Sequence, residues 1–249
     1  MTTSRGVDVD PVAAYDALAT SYEAISETRS RYLTAIERII IAHMPGCDSL
    51  LDIGAGDGVR TVRIAEAAGI RNVIGLEPSN NMRARWPQSM VGWGCRATQM
   101  PATPRRFGVI LCLWNVLGHL EDRNERISAL VQARRLLSSN GTIFVDVNHR
   151  YNAAEYGWVG TLLRMTRDRL WWSETNGDVV VRWNIDGKQI RCHGHLFTRP
   201  EIESIFTDTA LQITNRWIVN YTDGTKRRSC YEGHLLFQLS PAPQPHSDE

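Results

Sequence analysis

The sequence predicts an α/β protein: a mostly parallel β-sheet sandwiched by helices and continued by antiparallel strands. Three observations carry that class. Apolar runs alternate with amphipathic helical stretches from residue 49 to 147. A glycine turn, Gly54-Ala55-Gly56-Asp57-Gly58, joins the first run to its helix. Beyond residue 178, alternating stretches are joined by Asp186-Gly187 and Asp223-Gly224, dipeptides typical of antiparallel hairpins. Strands that are apolar on both faces and alternate with helices belong in a parallel sheet covered on both sides.

Each element has its own signal. Asp10 and Pro11 open a helix over 11–25, with Tyr15, Leu18, Tyr22 and Ile25 spaced by three and four. A second helix over 30–43 presents Leu33, Ile36 and Ile40 on one face and stops at Pro45-Gly46. Strand 49–53, helix 59–68 and strand 72–76 follow; Ser79 caps a short helix to about Arg85. A weak strand lies within 90–95, a continuous apolar one over 107–113, and a helix over 122–138. Asn140-Gly141 then turns into strand 142–147. Residues 148–177 are polar and aromatic, with a helix around 154–166 and the pair Trp171-Trp172. Stretches 178–185 and 189–197 form a hairpin, Thr198-Arg199-Pro200-Glu201 opens a helix to about Thr209, and strands 211–221 and 230–239 form an antiparallel hairpin. The proline-rich tail over 241–249 is expected to be disordered.

Composition narrows the class. The chain has 249 residues, of which 43% are hydrophobic, enough for one α/β domain with an elaboration. A formal charge of +1 argues against a nucleic-acid partner, and Lys226-Arg227-Arg228 reads as a solvated turn. The cysteines at 47, 95, 112, 192 and 230 show no CxxC spacing and read as free thiols in a reducing cytosol. Met1 to Asp10 has no apolar signal core, and no run reaches the ~18 apolar residues of a membrane span. The expectation is a soluble cytoplasmic protein. Cys192-His193-Gly194-His195 places two histidines on one strand face, but no matching pair stands elsewhere, so no metal is expected.

The glycine turn ends a parallel strand, where open α/β sheets bind nucleotide-like ligands. Gly54, Gly56 and Gly58 let a ligand approach the main chain with no Cβ in the way. Glu77, ending the next strand, is an acid able to accept both hydroxyls of a ribose. A dinucleotide and S-adenosylmethionine both present such a ribose. The dinucleotide pattern GxGxxG fails because residue 59 is valine, and Asp57 would repel a pyrophosphate at the helix start. S-adenosylmethionine carries a sulfonium and an ammonium instead, so Asp52 and Asp57 are acceptable neighbours.

On these residues the chain resembles the class I S-adenosylmethionine-dependent methyltransferases. Their first motif stands as Asp52-Ile53-Gly54-Ala55-Gly56-Asp57-Gly58 and their ribose acid as Glu77, followed by Pro78-Ser79-Asn80-Asn81-Met82. The resemblance implies a Rossmann-like sheet of seven strands with an antiparallel last strand, plus an antiparallel β cap inserted after the fifth strand. It implies cap helices over 1–45, a cofactor-binding core over 46–147 and 198–240, and an acceptor-binding cap over 148–197. The cofactor contacts expected are Tyr15, Asp52, Gly54, Ala55, Gly56, Gly58, Glu77, Pro78, Met82, Leu113 and Trp114, with Thr98 and Gln99 on the adenine. Met82 reads equally as an adenine platform or as a core methionine.

The acceptor side is read from Leu113-Trp114-Asn115-Val116-Leu117-Gly118-His119-Leu120 and Asp146-Val147-Asn148-His149-Arg150-Tyr151-Asn152. These segments are similar to those of glycine and sarcosine N-methyltransferases, which imply Asn115 and His119 in the site and Arg150 on a substrate carboxylate. Residue 114 is Trp where that family has glycine. The Gly-His-Leu turn is also similar to that of aminosugar N,N-dimethyltransferases, so the acceptor class stays open. His119, Asn115 and Tyr22 are the catalytic candidates; Arg150, Tyr151, His149, Trp172 and His195 are the substrate-binding candidates. Trp171-Trp172 and Trp183 read as a substrate lid or as a homodimer patch. The expected reaction moves a methyl group from S-adenosylmethionine, leaving S-adenosylhomocysteine, to an amine nitrogen of a small molecule. An O-methyltransferase and a non-catalytic cofactor-binding partner protein are the rival readings.

Overall fold

The computed structural model describes residues 7–185 and 187–243; Asp186 of the expected hairpin turn, the first six residues and 244–249 of the tail lie outside the described residues. The chain runs β1 (Val7–Asp8), α1 (Pro11–Leu18), α2 (Tyr22–Glu27), α3 (Ser30–His43), β2 (Ser49–Ile53), α4 (Val59–Ala68), β3 (Asn72–Leu76), α5 (Asn80–Arg83), β4 (Val91–Trp93), β5 (Phe107–Cys112), α6 (Arg123–Leu136), β6 (Leu137–Val147), α7 (Ala153–Tyr156), α8 (Trp158–Leu170), β7 (Asp178–Ile185), β8 (Lys188–His195), α9 (Arg199–Asp208), β9 (Leu211–Val219), β10 (Lys226–Arg227) and β11 (His234–Pro241).

The main sheet has the order β10-β9-β11-β6-β5-β2-β3-β4. Strands β4, β3, β2, β5 and β6 pair in parallel, and β11 is antiparallel to both β6 and β9. The seven expected strands are therefore present, with two-residue β10 added on the edge. Alternate residues of β5 serve opposite faces. Ile110 and Cys112 join Ile53, Phe206 and Phe237 in one core, while Val109 and Leu111 join Tyr32, Ile36, Ile64 and Phe144 in the other. A separate sheet, β1-β8-β7, combines the cap hairpin with the strand that precedes α1.

Four local expectations change. The helix over 11–25 breaks at a 3-10 turn, Ala19–Ser21, into α1 and α2. The helix around 154–166 becomes α7 and α8, parted by Gly157 at φ +74°, a left-handed value that ends α7. Asn140-Gly141 lies inside β6 and not in a turn; the β5–β6 register shifts there, so the extra residues form an irregularity in the ladder. Asp223-Gly224 closes β9 onto β10, and β11 begins only after a 3-10 turn at Cys230–Glu232.

Candidate active site at the carboxyl edge of the sheet

The turn after β2 is held open by its glycines. Gly54, Gly56 and Gly58 have φ of +74°, +58° and +75°. A Cβ on Gly54 would lie 2.4 Å from Val116 Cγ2, so a side chain there would close the cradle. The amides of Gly54 and Ala55 donate to Leu76 O at 2.7 and 3.0 Å, tying the turn to β3. Glu77 then receives Gly56 N on Oε2 at 3.0 Å and Ser79 N on Oε1 at 2.9 Å. Burial pushes its carboxyl up to about 7, against the pull of those two amides and Arg83. Asp57 Oδ1 accepts Val59 N at 3.2 Å and so occupies a helix-start donor that a phosphate would need.

Gly54, Gly56 and Glu77 line a cavity with Tyr15, Tyr22, Trp114 and His119, walled by apolar Ile53, Leu76 and Leu113. The cradle suits S-adenosylmethionine. Each Glu77 oxygen keeps a lone pair for a ribose hydroxyl, and the walls are apolar enough for a purine. Asp52, fully buried, accepts Thr61 Oγ1 at 2.6 Å on Oδ2, while its Oδ1 has no partner among the described residues.

A second cavity of ≈ 260 Å³ shares Tyr15, Tyr22, Trp114 and His119 with the first and extends to Arg29, Asn115, Asn148, Trp183 and Tyr221. His119 stands on the common wall. Its Nδ1 lies 3.1 Å from His193 O, and a carbonyl only accepts, so Nδ1 carries the proton. Nε2 then accepts the Tyr15 hydroxyl at 3.0 Å. Burial lowers the His119 pKa, so the ring is neutral at pH 7.

The turn after β5 is strained to build this wall. Trp114 and Asn115 both adopt left-handed φ, 62° and 63°, at a cost of roughly 1–3 kcal/mol each. Asp146 holds them: its Oδ2 accepts Trp114 N at 3.1 Å and its main-chain O accepts Asn115 N at 3.1 Å. Asn115 in turn donates Nδ2 to His195 O and accepts Asn148 N on Oδ1. Tyr32 donates to Asp146 Oδ1 at 2.6 Å from α3.

The structure gathers Tyr15, Tyr22, Gly54, Gly56, Glu77, Pro78, Leu113, Trp114 and His119 around the first cavity, and Asn115 around the second. Other candidates are placed elsewhere. Met82 is a core residue that lines neither cavity. Gly58 starts α4 beneath Met90 and Trp86, and Ala55 faces a depression beside Asp57. Thr98 and Gln99 stay off the cavity, where Ala97 takes the wall; Thr98 O accepts Gln132 Nε2.

The substrate-binding candidates need the largest correction. Arg150 is fully buried, with Nη1 on Asp168 at 3.0 Å, Nη2 on Glu201 at 2.8 Å and Nε on Leu196 O at 3.0 Å. That leaves no fork for a substrate carboxylate. His195 is likewise consumed, with Nδ1 on Asp178 and Nε2 on Glu201, both at 2.7 Å. Tyr151 donates to Asp168, and buried His149 gives its amide to His234 Nδ1. Trp172 is exposed, with the Arg150 guanidinium 5.6 Å from its ring. None of these five lines either cavity. Sequence reasoning passed over Arg29, Arg60, Arg96, Val116 and Tyr221, which do. Arg29 carries no motif signal; it sits at the bend between two amphipathic helices.

Comparison with known proteins fixes the family. The methyltransferase domain family matches residues 20–215. The dTDP-3-amino-3,6-dideoxy-alpha-D-glucopyranose N,N-dimethyltransferase of Streptomyces fradiae is 29% identical over 112 residues, which is 43% of this chain and 42% of that protein. The match thus spans less than half of that relative. Two solved structures share the fold. An S-adenosylmethionine-dependent methyltransferase from Clostridium acetobutylicum is 12% identical with a TM-score of 0.64, over 92% of this chain and 100% of that one. The sugar N-methyltransferase KedS8 from a Streptoalloteichus species is 17% identical with a TM-score of 0.59, over 98% of each chain. With most of its length covered by the family match and the glycine turn and Glu77 in place, this chain belongs to the class I S-adenosylmethionine-dependent methyltransferases.

Proposed function

We propose that the chain transfers a methyl group from S-adenosylmethionine to an amine nitrogen of a small molecule. The observation that carries this is the wall shared by two cavities, with the Tyr15–His119 pair on it. When bound, the cofactor supplies an electrophilic methyl group on a sulfonium. The residues then have to aim and desolvate the amine, and alignment of this kind lowers a barrier by roughly 7–11 kcal/mol. Tyr22 and Trp114 pack across the boundary and exclude water. In this reading Tyr15 takes the amine proton while its hydroxyl proton passes to His119 Nε2, the lone-pair nitrogen, a relay supported by their 3.0 Å hydrogen bond. Gly54, Gly56 and Glu77 hold the cofactor, and residues 148–197 supply the acceptor-selecting cap. The aminosugar N,N-dimethyltransferase and KedS8 resemblances support an amine over an oxygen acceptor.

Turnover of an amine panel, with products identified by mass spectrometry, tests the reading. His119→Asn should lower kcat by about 10²- to 10⁴-fold while cofactor binding persists. A base-labile methyl group on oxygen would instead establish the O-methyl reading. A homodimer and a cytoplasmic location belong to the same proposal. They are supported by the exposed apolar face of α8 and by five free cysteines. Among the described residues, no helix is long and apolar enough to cross a membrane.

A further inference from the structure

The second cavity contains one permanent charge among its described lining residues: Arg29. No aspartate or glutamate is among those described residues. Arg29 stands at the start of α3, on the side of the cavity that the cofactor cavity does not share. Its guanidinium lies over the Tyr221 ring, 4.1 Å from the centroid, and Nη2 reaches Glu155 Oε1 at 3.2 Å. Tyr221 is itself fixed by the Trp114 indole N–H at 3.1 Å. The Arg29 plane is thus held from two sides. Its Nε and Nη1 donors make no hydrogen bond among the described residues, and its side chain is 32% exposed. Arg150 differs in each respect: three of its donors are bound and its side chain is 1% exposed.

Resting on the N-methyl transfer reading, we infer that the acceptor is an amine that also carries a carboxylate or a phosphate, and that Arg29 holds that anion. Charge balance leads the same way. The lining presents a guanidinium and, among the described residues, no carboxylate, so an anion on the acceptor is matched there, with Glu155 sharing the guanidinium from outside the lining. Arginine suits the task because it stays charged and its Nε and Nη1 donors remain open to anionic oxygens.

Matched acceptor pairs that differ only in the anion test this: L-tyrosine against tyramine, and glucosamine 6-phosphate against glucosamine. The readout is S-adenosylhomocysteine release with wild type, Arg29→Met, Arg29→Lys and Glu155→Gln. The anionic member of the reactive pair should lead by about 10- to 100-fold in kcat/KM. The loss in Arg29→Met should fall on its KM and exceed any loss on the plain amine by at least about tenfold, and Arg29→Lys should restore part of the preference. The reacting pair identifies carboxylate or phosphate. Glu155→Gln keeps the charge on Arg29 and should keep the preference. Equal turnover of both members by wild type, or an equal loss on both in Arg29→Met, overturns the inference while leaving N-methyl transfer intact. Methyl groups found on oxygen overturn the underlying reading instead.

Discussion

Glu77 follows β3 with each carboxylate oxygen on a backbone amide, yet burial raises its pKa from 4.5 to about 7. The folded chain therefore binds this proton more tightly than the unfolded one. Ionising Glu77 costs native stability progressively as pH rises from about 4.5 to about 7. Cofactor binding has the opposite sign, because ribose hydroxyls donate to the charged form. Calorimetric affinity for S-adenosylhomocysteine should rise with pH through neutrality, by about tenfold between pH 6 and pH 8, and Glu77→Gln should bind weakly with no such dependence. A flat wild-type profile would show that Glu77 stays ionised throughout. Glu77 was legible in the sequence because an acid ending a strand beside a glycine turn has few other uses. The two arginines were not distinguishable. What separates them is which acids pack beside them, and the partners of Arg150 lie 18 and 51 residues away. Trp114 gave no hint of its left-handed φ; the departure from the glycine of related proteins marked the position without explaining what holds it.

At the level of elements, Arg150 works as a joint. It links the segment after β6 to Asp168 on α8, Glu201 on α9 and the Leu196 carbonyl after β8, while Glu201 also serves as the N3 partner in the Thr198 capping box. Removing the guanidinium leaves two buried carboxylates without their cation. Arg150→Met should lower unfolding free energy by about 3–5 kcal/mol in denaturant melts. A variant with unchanged stability and a raised KM for the acceptor would return Arg150 to substrate binding. The helices and strands themselves were readable where hydrophobic period, cap and breaker agreed, as in α3, α4 and β3. They were misread where a local turn signal met a long-range partner. Asn140-Gly141 favours a turn by itself, but Leu137 pairs with Phe107 before it and Thr142 with Val109 after it, so the two residues form an unpaired irregularity and β6 keeps its direction. Asp223-Gly224 does turn the chain, but onto a two-residue strand that no sequence period announces.

In the whole molecule, the cavities lie between the sheet edge and a cover made from the N-terminal helices and the cap hairpin. Strand β1 pairs with β8, so the cap hairpin and the helices over the cofactor cavity are stitched together. On α8, Trp158, Val159, Leu162, Leu163 and Leu170 recur at helical spacing and are each more than half exposed, with Trp171 and Trp172 adjoining them. An apolar face of this extent on one helix marks an association surface. Burying a Leu or Trp side chain is worth roughly 1.5–3 kcal/mol. Several together offset an association cost of about 4–15 kcal/mol. A second copy of the chain is the occupant proposed, with the two α8 faces meeting across a two-fold axis. Sedimentation at micromolar concentration should show a dimer. Leu163→Glu, at a position 67% exposed, should yield a monomer with an unchanged circular dichroism spectrum. A wild type that sediments as a monomer up to about 100 µM, weaker than the roughly micromolar affinity of ordinary interfaces, would assign this face to something other than self-association.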